Sequence, residues 1–243
     1  MYSNSLKNKN VIITGCNKGI GKATLEDFAK NGANIFACIR RDSSEFKSFT
    51  KSLEKKFKIN IEIIKLDLSD KSSISKSVDQ IYKINRNIDI LVNNAGILFN
   101  SLFLMTSEKQ LNEMFQINYF SQIFFTQIIA IGMIKNKSSS IIFVASTSGI
   151  NGDFGRFAYS SSKAAVLSAV KTLSKELSNY KIRVNAVSPG LTETDLMHSN
   201  TKKEILDSEI KKISLKRTAS TSEIANVIVF LASLESSYIN GQN

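Results

Sequence analysis

Six short runs rich in β-branched residues, each separated from the next by a longer stretch with helical patterning, restrict what this chain can fold into: Val11–Thr14, Asn34–Ile39, Ile61–Leu66, Ile88–Val92, Ser140–Ala145 and Ile182–Val187. Strands that alternate with helices in this way predict a parallel sheet covered on both faces. Most of the runs lack a polar alternate, as expected of strands buried on two sides. Pro189 is the only proline and directly follows the sixth run, where it can end a strand but could not sit inside one. The expected fold is α/β, a doubly wound parallel sheet in a single domain spanning residues 1–243.

Between the fourth and fifth runs, Glu108 to Lys135 reads as one helix with apolar residues nearly all round, among them Phe115, Ile117, Phe120, Phe124, Ile128 and Ile131. Such a helix needs a second burial surface, which predicts packing on another subunit as well as on its own sheet. The other reading is a central helix buried on every side.

Composition narrows the function classes. Lys plus Arg outnumber Asp plus Glu by 32 to 21, a net charge of +11, but the excess is scattered and no aromatics interleave with it. A solvated surface is the reading, and nucleic acid is not an expected partner. Cys16 and Cys38 belong to no metal or disulfide framework and read as small buried residues, so no metal site is expected. His198 is the sole histidine and reads as a loop residue, which leaves a histidine-bearing hydrolytic triad without support. Met1 to Asn10 lacks the apolar core of a signal peptide, and the apolar stretches are too short to cross a bilayer; a cytoplasmic protein is expected.

After the first run the chain reads Thr14-Gly15-Cys16-Asn17-Lys18-Gly19-Ile20-Gly21 and then turns helical. Glycines there let the backbone approach a pyrophosphate whose charge is met by a helix N-terminus. A dinucleotide site usually places a carboxylate near the end of the second strand to take the ribose 2′-hydroxyl. Here Ile39 is followed by Arg40 and Arg41, with Lys18 ahead of the second glycine. Guanidinium can clamp a 2′-phosphate that a carboxylate would repel, so NADP(H) is the expected cofactor.

Tyr159 and Lys163 stand four residues apart on a predicted helix, close enough to meet. An ammonium beside a phenol is expected to lower the tyrosine pKa and make it a usable acid. The pair gains meaning from its company: Thr14-Gly15…Gly19-Ile20-Gly21, Asp67-Leu68, Asn93-Asn94-Ala95-Gly96, Asn118, Ser146, Tyr159…Lys163 and Pro189-Gly190, in this order over essentially the whole chain. In these motifs the sequence resembles the short-chain dehydrogenase/reductase family. The resemblance implies a Rossmann-like sheet with its site at the carboxyl ends of the strands.

Carried over residue by residue, the resemblance implies that Ser146 bonds the substrate carbonyl oxygen and that Tyr159 gives it a proton as hydride arrives. Lys163 holds the nicotinamide ribose and links Tyr159 to a proton relay, and Asn118 keeps a relay water in place. Gly15, Asn17, Lys18, Gly19, Ile20 and Gly21 cradle the pyrophosphate, and Arg40 takes the 2′-phosphate. Asp67 and Leu68 meet the adenine, Asn94, Ala95 and Gly96 lie along the cofactor, and Pro189, Gly190, Thr192 and Thr194 turn over the nicotinamide. Asp195 to Lys216 would form a mobile lid. Asn185–Gly190, Thr192–Asp195 and Ser236–Gln242 are most similar to 3-oxoacyl-acyl-carrier-protein reductases, which bind an acidic carrier through basic residues near the positions of Lys137 and Lys181. A homodimer or homotetramer is implied as well. One departure is that the family usually continues past Gly241-Gln242 into a seventh strand, so the expectation is that either the sequence is truncated or the last strand is missing here. Two alternatives stay open: a reductase of another ketone, sugar or secondary alcohol, and a non-catalytic NADP-sensing protein, although the latter class commonly lacks the tyrosine or lysine present here.

Overall fold

Successive side chains of a strand point to opposite faces of its sheet, and here both faces bury them. The computed structural model describes residues 6–136, 138–195, 197 and 203–243, and the side chains of all of these but 203–205. Strands β1 (Asn10–Thr14), β2 (Asn34–Ile39), β3 (Ile61–Lys65), β4 (Ile90–Asn93), β5 (Ser139–Val144) and β6 (Ile182–Val187) pair in parallel in the order β3-β2-β1-β4-β5-β6. The helices are α1 (Gly19–Lys30), α2 (Ser44–Phe57), α3 (Lys71–Ile84), α4 (Glu108–Phe115), α5 (Ser121–Met133), α6 (Ser148–Asn151), α7 (Phe157–Glu176), α8 (Lys203–Lys212) and α9 (Thr221–Ala232).

Val11, Ile13, Ala37, Val92 and Ile142 point into one core with Leu25 and Phe28 of α1, Phe46 and Leu53 of α2, and Ile228 and Val229 of α9. Their neighbours Ile12, Phe36, Leu91, Ile141 and Phe143 point into the other, against Ile74 and Ile81 of α3, Phe125 and Ile129 of α5, and Val166 and Val170 of α7. The six expected strands are all present, with ends shifted by one or two residues, and the α/β doubly wound expectation holds. Cys16 and Cys38 are both buried and unpaired, and burial pushes their thiols well above the ordinary range. Among the described residues no helix is long and apolar enough to cross a membrane.

One expectation needs correction. The stretch read as one helix is broken at Gln116–Phe120 by a π-helical turn, which joins α4 to α5. A wider turn of this kind inserts one residue into the helical repeat. Asn118 is fully buried there, and its side chain bonds the Ile97 backbone, Ser162 Oγ and Met114 Sδ. Nor is the segment buried all round. Phe125, Ile129 and Met133 face the sheet, while Phe120, Phe124 and Ile131 are 53%, 43% and 66% exposed. The described residues form a six-stranded sheet, with no seventh strand, although the tail lies beside its last member. Residues 240–242 run along the outer edge of β6: Gly241 N donates to Val184 O at 2.9 Å, and Gln242 O accepts from Ala186 N at 2.8 Å. Asn185 closes this contact with its side chain, donating to Ile239 O at 2.9 Å and accepting from Gln242 N at 3.0 Å.

Phe143 is 0% exposed, at the centre of the core under α5 and α7. Phe143→Ala is expected to cost about 3–5 kcal/mol of unfolding free energy, read from the shift of a urea denaturation midpoint.

Candidate active site

The strand order reverses between β1 and β4, and the crevice outside the carboxyl ends of a parallel sheet opens at such a switch point. A cleft of about 710 Å³ lies there. Its floor is tied together by Thr14 and Asn94. The Thr14 hydroxyl accepts from the backbone N–H of Asn94 at 3.0 Å and of Ala95 at 3.1 Å, while Asn94 Nδ2 donates to the carbonyls of Thr14 and Gly15, both at 3.0 Å. The turn after β1 is thereby pressed onto the end of β4. Gly15 has φ of +67°, and a Cβ there would lie 2.8 Å from Ala95 Cα, so only glycine fits.

Helix α1 starts at Gly19, and no side chain caps its N-terminus. Its first N–H groups therefore lack the partner that a serine or aspartate would supply, and an anion suits them. Lys18 is the N-cap residue, with exposed Arg40 and Arg41 across the same cleft. Asp67 lies on the wall beyond them, with Leu68 buried beside it. Its carboxylate accepts from Ser69 Oγ at 2.6 Å and Ser69 N at 2.9 Å. Those bonds first, and the fields of Arg40 and Arg41 after them, hold the Asp67 pKa below its usual value. On the opposite side, Pro189, Gly190, Thr192 and Thr194 line the cleft. A Cβ on Gly19 would touch Thr194 Cγ2 at 3.4 Å, so this segment reaches back to the glycine turn.

At the other end of the cleft stand Ser146, just past β5, and Tyr159 and Lys163 on α7. Ser146 Oγ accepts from Ser148 N at 3.2 Å, which leaves its own hydrogen to donate. Lys163 is 4% exposed, and its ammonium donates to Val144 O at 2.7 Å. Burial lowers its pKa to about 8.

The expected direction of the Tyr159 pKa is overturned. Burial raises it above the ordinary phenol value, and only in part do the Ser146 hydroxyl and then the Arg156 charge pull it back. Lys163 is not among the causes. Its ammonium is turned to the Val144 carbonyl and stands 5.9 Å from the centroid of the phenol ring. In the protein itself Tyr159 is a protonated donor.

The cleft collects every cofactor and catalytic position expected from the sequence except Asn118. Asn118 sits behind the wall, where Oδ1 accepts from Ile97 N at 2.8 Å and Nδ2 donates to Ile97 O at 2.9 Å and Ser162 Oγ at 3.2 Å. Gly96 fills the space between, since a Cβ on it would meet Asn118 Oδ1 at 3.2 Å and Lys163 Nζ at 3.7 Å. Sequence reading missed Arg156 and Glu113, which also line the cleft. Arg156 could have been noticed from its position three residues before Tyr159; nothing in the local sequence marks Glu113. Of the expected lid, Asp195 and Met197 line the cleft and α8 follows, whereas residues 198–202, with His198, and also Lys137, lie outside the described residues.

Known proteins fit this arrangement. Residues 9–205 match the model of the short chain dehydrogenase family, and the chain belongs to that family. It is an NAD(P)-dependent oxidoreductase acting on CH–OH/C=O groups. The 3-oxoacyl-acyl-carrier-protein reductase of Thermotoga maritima is 37% identical over 98% of this chain and 95% of its own length. An uncharacterized oxidoreductase of Bacillus subtilis is 36% identical over 97% and 96%. A Beutenbergia cavernae protein assigned as an NAD(P) dependent gluconate 5-dehydrogenase, solved with NADP at low occupancy, superimposes with a TM-score of 0.91 at 26% identity, over 99% of this chain and 95% of that one.

The buried Lys163 predicts an activity–stability trade. Its pKa is about 8 in the fold against about 10.4 when exposed. Burial of the charge therefore opposes folding in full below pH 8, and the penalty disappears as pH rises through that window. Lys163→Met is expected to abolish turnover. Its melting temperature relative to wild type should be highest below pH 8 and fall steadily toward pH 10.5; a difference that does not vary with pH would contradict the charged, buried state.

Proposed function

We propose that this oxidoreductase uses NADPH to reduce a 3-oxoacyl thioester, delivered on acyl carrier protein, to the 3-hydroxy compound. The observation that carries the reading is one cleft holding a protonated tyrosine beside Ser146 at one end and an uncapped helix N-terminus flanked by Lys18 and Arg40 at the other. That end fits a pyrophosphate, and Lys18, Arg40 and Arg41 fit the 2′-phosphate of NADP(H).

NADPH, held by the glycine turn, Lys18 and Arg40, would supply the hydride for the carbonyl carbon. Ser146 donates to the carbonyl oxygen, and Tyr159 delivers its proton there as negative charge develops. The raised pKa keeps that proton in place until the oxygen becomes basic. Lys163, fixed by Val144 O, would hold the ribose hydroxyls and return a proton toward Tyr159. Asn118 acts as a positioning residue: its double bond to the Ile97 backbone fixes the strand end that Gly96 presents to the cofactor, and its place beside Ser162 suits the expected relay.

The names of the Thermotoga relative and others like it support the thioester, and a net charge of +11 suits an acidic carrier, with exposed Lys181 as one contact. The gluconate 5-dehydrogenase assignment of the Beutenbergia structure supports a second reading, a sugar or other simple ketone. A protein that only senses NADP is disfavoured by the presence of both Tyr159 and Lys163 in the cleft. Unpaired buried cysteines suit the cytoplasm. The exposed Phe120, Phe124 and Ile131 are best covered by a second copy of the chain, in a homodimer or homotetramer.

NADPH oxidation with an acetoacetyl thioester should exceed that with keto-sugars and simple ketones; the reverse order selects the second reading. Tyr159→Phe should lower kcat by about 10²–10⁴. Arg40→Asp should raise KM for NADPH at least about tenfold and change KM for NADH far less. Phe124→Asp with Ile131→Asp should shift sedimentation to a smaller species.

A further inference from the structure

Arg156 lines the same cleft as Tyr159 and precedes it by three residues, so the two occupy neighbouring turns at the start of α7. Its backbone is fixed: Arg156 bridges to Ser101, and Ser101 N donates to Gly155 O at 2.8 Å. So is its side chain. Nη1 donates to Asp153 Oδ2 at 3.2 Å and Nε to Asn100 Oδ1 at 3.3 Å, while Ser148 Oγ donates to the same Asp153 oxygen from the other side. Ser148 in turn donates its backbone N–H to Ser146 Oγ at 3.2 Å. One chain of bonds thus runs from the Ser146 hydroxyl, through Ser148 and Asp153, to the guanidinium. Holding a long side chain this firmly at a cleft wall has a cost in rotamer freedom, which a surface ion pair does not repay by itself.

We propose that Arg156 is a specificity-determining residue that donates a hydrogen bond to a second, neutral oxygen of the substrate, carried two carbons from the carbonyl that Tyr159 protonates. The inference rests on the reductase reading above and specifies what the substrate must present. A guanidinium offers five N–H donors in a rigid fork, and Arg156 lines the cleft, where it can present one of them to a bound substrate. The charge argues for a neutral acceptor. Asp153 offsets Arg156 at contact distance, and Glu113 adds a carboxylate on α4, the helix packed against α7. With Lys163 counted, this end of the cleft sets two cations against two carboxylates and carries no net positive charge, unlike the end with Lys18, Arg40 and Arg41. A carbonyl dipole gains from a hydrogen bond here, whereas a carboxylate would face Asp153 as well. Arg156 and Asp153 also act on the Tyr159 phenol in opposite directions, consistent with both standing within its field. A 3-oxo thioester has the required second oxygen; a simple ketone lacks it, and a 3-oxo acid bears the wrong charge.

The test compares kcat/KM of the whole protein with NADPH on three probes: an acetoacetyl thioester of N-acetylcysteamine, butanone, and acetoacetate. Arg156→Gln should lower the thioester-to-butanone ratio at least about tenfold, mostly through the thioester KM, as loss of a charged hydrogen bond would. Arg156→Lys should recover part of the ratio. Because Arg156→Gln leaves Asp153 unpaired, the double variant Asp153→Asn, Arg156→Gln serves as the version without an orphaned charge, and it should show the same loss. Asp153→Asn alone should raise acetoacetate use relative to the thioester several-fold. An unchanged ratio in both Arg156→Gln variants, or a wild-type preference for acetoacetate over the thioester, overturns the assignment of Arg156. A wild-type protein that reduces butanone but no thioester overturns the thioester reading itself, and the inference with it.

Discussion

Four hydrogen bonds between Thr14 and the Asn94–Ala95 segment, with Gly15 as an acceptor, decide where this protein can bind anything. They join the exits of β1 and β4, the two strands at which the sheet order reverses. Without that junction the glycine turn would have no fixed distance from the end of β4, and the N-terminus of α1 would not be aimed into the crevice. The close packing it imposes explains the glycine at position 15, where a side chain would overlap Ala95. Phosphate chemistry at this end follows from backbone placement more than from any single cation.

The other end of the cleft works by desolvation. Lys163 and Tyr159 are both shifted against their charged forms, the lysine downward and the tyrosine upward, with burial the leading cause in each. A buried group resists ionisation because the protein solvates charge less well than water. The pair is therefore not a preformed ammonium–phenolate couple. It is a neutral acid with a weakened cation nearby, a state suited to giving up a proton when negative charge appears on a substrate oxygen. The Ser146 hydroxyl moderates the phenol, and in the proposed reaction it would donate to the carbonyl as well.

Much of this was legible in the sequence, for identifiable reasons. Strands buried on two faces must be apolar throughout, so Val11–Thr14 or Ile182–Val187 announce themselves locally. The glycine turn is equally local, and Arg40 is read from its place after the second strand. Effects that depend on partners distant in sequence were not legible. Asn94 stands out in the sequence only as part of the segment expected along the cofactor; that its amide nitrogen also ties the end of β4 to residues 79 and 80 positions earlier carries no local signal. The Tyr159 shift came out with the wrong sign because a four-residue spacing shows proximity but not that the ammonium has a better acceptor in Val144. The contact of the tail with β6 was not legible either, because it relies on the Asn185 side chain and on turns that carry no periodic signal.

The π-helical turn at Gln116–Phe120 has a consequence for how the segment around it divides its labour. Each residue of an α-helix advances about 100° around the axis, so one inserted residue rotates everything downstream by that angle. Glu113 of α4 looks into the cleft and Met114 supports Asn118, whereas α5 presents Phe125, Ile129 and Met133 to the sheet. A regular helix over the same residues could not keep both phases. The turn works as a phase shifter, letting a single continuous rod serve the ligand wall with its first half and the hydrophobic interior with its second.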